Sequence, residues 1–135
     1  MGCDIHMILE SRIKGIWIYD CDIPWQADIT SRNYTFFGAL AGVRYDGPAP
    51  RGLPDDVCPA TRARAEGEDW HSHSYGSAFN VYQEWCTTNL MPQQEDWVKH
   101  MFTCGGYGAG RPHATEPTFG TLTNADQRIV YWFDN

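Results

Sequence analysis

At 135 residues the chain has the length for one domain built on one core, residues 1–135. Apolar residues at 42% and aromatics at 14% exclude a disordered chain. A net charge of -7 with a pI near 5.0 excludes the broad basic footprint that a nucleic-acid polymer requires. A small phosphate-bearing ligand stays within reach, because one or two arginines in a pocket can hold a phosphate on an acidic protein.

The N-terminal run Met1-Gly2-Cys3-Asp4-Ile5-His6 lacks the basic and apolar regions of a signal peptide. His6 stands where a myristoylation motif wants Ser or Thr. No apolar run approaches the ~20 residues of a membrane helix, so no membrane partner is expected. Five cysteines without a C-x-x-C pair fit reduced thiols in a cytoplasm, used as small buried apolar residues.

Residues 3–10 alternate, with Cys3, Ile5, Met7 and Leu9 set against Asp4, His6, Ile8 and Glu10, which predicts a half-buried strand. Asp4 and His6 then share a face. Lys14-Gly15 reads as a turn, and Ile16-Trp17-Ile18-Tyr19 as the return strand of a hairpin. Residues 20–32 are polar, broken by Pro24, and read as a loop. Residues 34–44 (YTFFGALAGVR) carry Phe36, Phe37, Leu40 and Val43 at helical spacing, with Asn33 or Thr35 as the cap. Gly38 and Gly42 weaken that helix but would let a second element approach closely. The Pro- and Gly-rich residues 47–54 can be neither helix nor central strand. A helical turn over residues 61–66 ends at Gly67, and the histidine stretch Trp70-His71-Ser72-His73-Ser74 follows as a loop. Ser74 or Ser77 starts the next helix, which runs to Thr88, and Pro92 opens another with Trp97, Val98, Met101 and Phe102 on its apolar side. Residues 105–120 are Gly-rich and irregular, and residues 128–134 form an almost continuously apolar strand, central in its sheet. The expected architecture is α+β: a small sheet holding the N-terminal hairpin and the C-terminal strand, packed with about three helices.

Two short pieces concentrate the candidate chemistry. Asp4-x-His6 and His71-x-His73 offer one carboxylate and three imidazoles, a ligand set suited to a divalent transition metal such as Zn or Mn. The same four residues could instead act without metal as general acid–base groups, with Ser72 and Ser74 at a helix N-terminus binding phosphate. Arg32, Arg44 and Arg51 would supply counter-charge, and Tyr34, Phe36 or Trp70 a stacking face for a base. A structural alternative has His71 and His73 bonded to backbone, bracing the loop, with the serines capping the helix. His100 and His113 are spare candidates. Residues 105–110 lack the Lys-Ser/Thr of a P-loop.

Taken in order, MGCDIH at residues 1–6, Arg32-Asn33-Tyr34, Arg51-Gly52-Leu53-Pro54 with Asp56-Val57, HSHS at residues 71–74 and RIVYWFDN at residues 128–135 resemble a family of small bacteriophage and prophage proteins. The resemblance spans the chain. It implies an accessory protein acting in the host cytoplasm rather than a replication or virion component. Tyr75-Gly76 after HSHS and the Gly-rich residues 105–110 depart from the family pattern, at positions that would shape a pocket rim. Two functions are expected from these pieces together. One is a small hydrolase, a phosphoesterase acting on a nucleotide-like host defence signal through Asp4, His6, His71 and His73. The other is a non-enzymatic protein that sequesters such a messenger, or a host defence protein, through the same pocket.

Overall fold

The computed structural model describes residues 2–23, 30–67, 69–90 and 126–134. Within them the chain runs β1 (Asp4–Ile13), β2 (Ile16–Asp22), α1 (Tyr34–Ala41), α2 (Pro59–Ala65), β3 (His71–Ser77), α3 (Ala78–Thr88) and β4 (Gln127–Asp134). The architecture is α+β. Four strands form one antiparallel sheet in the order β2-β1-β4-β3, so the first and last strands are neighbours and the apolar β4 is central. The expected helix after Pro92, the Gly-rich residues 105–120, His100 and His113 lie outside the described residues.

The alternation of β1 decides what each sheet face meets. Cys3, Ile5, Met7 and Leu9 join Ile129, Tyr131 and Phe133 on the first face, packed against Phe36, Phe37 and Leu40 of α1 and Val81, Tyr82 and Trp85 of α3. On the second face Ile8, Val130 and Trp132 pack with Ala65 of α2, together with Tyr19, Leu53, Trp70 and Tyr75. Both faces of β4 are thus covered, which explains why it reads as continuously apolar.

Local capping behaves as the residue types dictate. The Asn33 side chain accepts the Phe36 N–H at 3.2 Å to start α1. The helix stops at Gly42, whose φ of 68° sends its N–H back to the Gly38 carbonyl. The close approach expected at Gly38 is filled by the following loop, since a Cβ there would lie 2.7 Å from the Tyr45 Cβ. Ser77, rather than Ser74, caps α3 by accepting the Asn80 N–H at 3.1 Å.

Two expectations need correction. Residues 71–77 are a strand, not a loop, although HSHSYGS has little intrinsic strand character. The central β4 requires a hydrogen-bonding partner on its second edge, and this backbone supplies it. Cys3, Cys58 and Cys86 are free thiols, but Cys21 is disulfide-bonded, so the all-thiol expectation fails at that position.

One buried network, not anticipated from the sequence, ties the second face together. Glu10 is fully buried and receives the Arg128 guanidinium, Nε to Oε1 at 2.8 Å, while its Oε2 accepts the Cys58 N–H at 3.0 Å. Arg128 also donates to Asp56 Oδ1 at 2.8 Å and lies 4.0 Å over the Trp17 ring. The carboxylate therefore anchors both a neighbouring strand and the start of α2.

Candidate functional site

The antiparallel pairing of β1 with β4 sets Asp4 opposite Asp134 and His6 opposite Trp132. His6 Nε2 donates to Asp134 Oδ2 at 2.7 Å, while Asp134 Oδ1 accepts the Asp4 N–H at 3.2 Å. Arg32, just ahead of α1, makes a two-pronged contact with Asp4, Nε to Oδ1 at 2.7 Å and Nη2 to Oδ2 at 3.2 Å. That guanidinium holds the Asp4 carboxyl below the usual carboxylate range, against the opposing effect of partial burial. Arg32 crosses Gly2 so closely that any side chain there would collide with the guanidinium. Asp4 is thus already engaged as an ion-pair partner, and His6 is oriented by a carboxylate.

His71 and His73 part company. Pairing runs His71 with Phe133 but Ser74 with Tyr131, so β3 carries one extra residue between them. Ser72 takes the strain, with a φ of 57°. A regular strand would put residues 71 and 73 on one face. The bulge instead leaves His71 beside Phe133 on the first face, ring centroids 6.3 Å apart, and His73 stacked on Trp132 on the second, at 5.9 Å. His73 Nε2 donates to the Ala65 carbonyl at 2.8 Å, and His71 Nδ1 shares a 2.9 Å hydrogen bond with Ser72 Oγ. Asp4, His6, His71 and His73 are therefore not gathered at one point of this structure, His71 lying on one face of the sheet and His73 on the other. Among the described residues no group of three His, Cys, Asp or Glu side chains is placed to hold a metal ion.

The other candidates divide in the same way. Ser74 is buried and accepts the Arg51 N–H at 3.1 Å. Arg51 donates Nη1 to the Tyr75 carbonyl at 3.0 Å and covers the Tyr75 ring at 3.9 Å, and the Gly52 N–H bonds the His73 carbonyl at 2.8 Å. Residues 51–52 thus fasten the Pro-rich strap along the edge of β3. Tyr34 accepts the Cys3 N–H at 3.2 Å and lies under the Arg44 guanidinium at 5.0 Å. Ser72, Ser74, Arg51 and Tyr34 all have structural work in this arrangement.

What remains is an aromatic corner built around His6. Its ring stacks on Trp70 at 5.3 Å and on Trp132 at 6.0 Å, and the two indoles are 5.4 Å apart. These three rings line a cleft of about 440 Å³ between the first half of β1 and α2. The cleft exists because β2 stops at Asp22, opposite Ile8, leaving the start of β1 to run past the end of β2. Asp22, Arg64 and Glu66 are its charged lining. Arg64 faces Asp22 at 3.4 Å and caps the Tyr19 ring at 4.2 Å. Trp132 is buried, and its indole N–H has no acceptor among the described residues. An unmet buried donor costs about 1–3 kcal/mol relative to a satisfied one.

Sequence reasoning named His6 and Trp70 but passed over Asp134, Trp132, Asp22, Arg64 and Glu66. The one available signal was register. If residues 4 and 134 pair in neighbouring antiparallel strands, Asp134 and Trp132 of the closing RIVYWFDN run lie beside Asp4 and His6. Comparison with protein-family models, with curated proteins and with solved structures finds no match.

Proposed function

We propose that this protein binds a small planar ligand of the nucleobase-bearing class in the cleft between β1 and α2. The observation that carries the reading is the stack of His6, Trp70 and Trp132 along one cleft wall. Base–aromatic stacking is worth roughly 1–3 kcal/mol per base. The cleft volume of about 440 Å³ falls within the ~300–1,000 Å³ of small-molecule sites. Arg64 at the cleft and Arg32 at the Asp4 corner are the cations nearest a phosphate tail, though each already faces a carboxylate. With the resemblance to phage proteins, this favours a non-enzymatic role: sequestering a nucleotide-like signal of the host.

A second reading, hydrolysis of a phosphoester in the same ligand, draws on one observation. Asp134 Oδ2 accepts a hydrogen bond from His6 Nε2–H, which orients the ring and leaves Nδ1 as the nitrogen for general-base work. In that reading His6 activates water, Asp134 fixes the tautomer, and Trp70 positions the base.

The test titrates the protein with nucleosides, nucleoside monophosphates and cyclic dinucleotides, following tryptophan fluorescence and calorimetry, with chromatography for products. Saturable binding at one equivalent, weakened about tenfold or more by Trp70→Ala, is expected. If no member of the panel saturates at millimolar concentration, the binding reading falls. Turnover abolished by His6→Asn with affinity retained would replace the binder by the hydrolase.

A further inference from the structure

The sheet ends differently on its two sides. Along β3 the Pro-rich strap is fastened through the Arg51 and Gly52 N–H groups. Along β2 no described strand pairs with the outer edge. What that edge offers follows from the hairpin. Lys14 and Gly15 both have positive φ, 53° and 80°, and join Ile13 to Ile16 as a two-residue turn of the I′ kind. The residues closing such a turn hydrogen-bond each other. The alternation of an antiparallel ladder then points the N–H and C=O of Ile16 and Ile18 toward β1, and those of Trp17 and Tyr19 outward.

The side chains leave this edge open to pairing. Ile13, Ile16 and Ile18 share the face of Leu9 but lie beyond both core clusters, exposed by 48%, 66% and 37%. Between Ile16 and Tyr19 stands neither the Lys nor the Pro that commonly blocks an edge strand. We infer that β2 pairs with β2 of a second copy of this chain, antiparallel about a two-fold axis at Ile18, joining the two sheets into one. The outward groups fix the register. Centred on Ile18, Trp17 of each copy stands opposite Tyr19 of the other, so every outward N–H meets a C=O. Ile18 meets its own counterpart as a non-hydrogen-bonded pair, Cα atoms about 4.5 Å apart, where side chains come closest. Trp17 and Tyr19 become aromatic cross-strand pairs on the second face. At each end the exposed Lys14 comes to the Asp20–Asp22 end of the other copy, an opposite charge that offsets part of the repulsion between two acidic chains. A second copy therefore suits the edge at each position, and because the contact is two-fold, assembly closes at the dimer.

Sedimentation of the unaltered protein from about 10 μM to about 1 mM tests this. The contact strip is shorter than a standard interface, so a reversible dimer is expected, with mass rising from one chain toward two. Amide exchange followed by NMR should slow at Trp17 and Tyr19 as concentration rises, while Ile16 and Ile18, already bonded to β1, stay unchanged. Ile18→Lys sets two ammonium groups face to face at the axis and should return the mass to one chain, its fold checked by circular dichroism. Should Ile18→Lys fail to fold, the exchange pattern of the unaltered protein decides alone. A mass of one chain throughout, a dimer untouched by Ile18→Lys, or Trp17 and Tyr19 exchange independent of concentration would each overturn the inference.

Discussion

The Glu10–Arg128 pair allows a sharp energetic test. Glu10 is fully buried, its Oε1 engaged by Arg128 and its Oε2 by the Cys58 N–H, and the Arg128 side chain is 8% exposed. Arg128→Met keeps an apolar stem of similar length but removes the guanidinium that lies over Trp17 and strands a carboxylate in the interior. Removing one partner of a buried pair costs about 3–5 kcal/mol. That is a large share of the ~5–15 kcal/mol that holds a domain of this kind together. Asp56 adds little to the loss, because its side chain is 65% exposed and water replaces the guanidinium. The double change Glu10→Leu/Arg128→Met removes both charges and leaves the Cys58 N–H as the residual debt, about 1–3 kcal/mol. Urea unfolding followed by tryptophan fluorescence should therefore show the double variant more stable than Arg128→Met alone. A coupling energy under about 1 kcal/mol, or additive losses, would refute the claim that the pair acts as one buried unit.

Other outcomes follow from single contacts. Gly38→Ala should gain about 1 kcal/mol from helix propensity, yet the 2.7 Å approach to Tyr45 costs about 1–3 kcal/mol by overpacking, so a net loss in thermal unfolding is expected. Asn33→Ala removes the α1 cap and the 3.2 Å contact from its amide to Asn89, and should lower stability by about 0.5–2 kcal/mol. Arg32 and Arg128 hold the Asp4 and Asp56 carboxyls below the ordinary range. With native values below the unfolded value of ~3.9, both groups stabilise fully above that pH and lose the contribution as pH falls through their lowered values. The stability deficit of Arg32→Gln against the unaltered protein should accordingly be larger at pH 7 than at about pH 3, and equal deficits at both would contradict the pairing.

The histidine stretch shows best where local information ends. His71-x-His73 suggests two ligands on one side, because regular strands and compact loops both tend to present alternate residues together. The extra residue at Ser72 undoes this by turning the two rings to opposite faces. Nothing in HSHS announces a bulge, since its place is set by how β3 must meet β4. His6 illustrates the converse. Its face was legible from alternation, but its carboxylate partner, Asp134, stands 128 residues away.

By itself the sequence determined the features that depend on near neighbours: the β1–β2 hairpin, a helix from Tyr34 capped by Asn33 or Thr35, a helix begun at Ser74 or Ser77 and the apolar β4, while the stop of α1 at Gly42, ahead of the expected end at Arg44, came from the structure. Period, capping chemistry and backbone freedom act within a few residues and are written in residue type. The tertiary structure alone decided that residues 71–77 become a strand, that the histidines separate, that Glu10 meets Arg128, and that His6, Trp70 and Trp132 gather at one cleft. Each of these depends on which backbone edge lies beside which, and a polar segment of weak preference takes the conformation that satisfies a distant strand's hydrogen bonds.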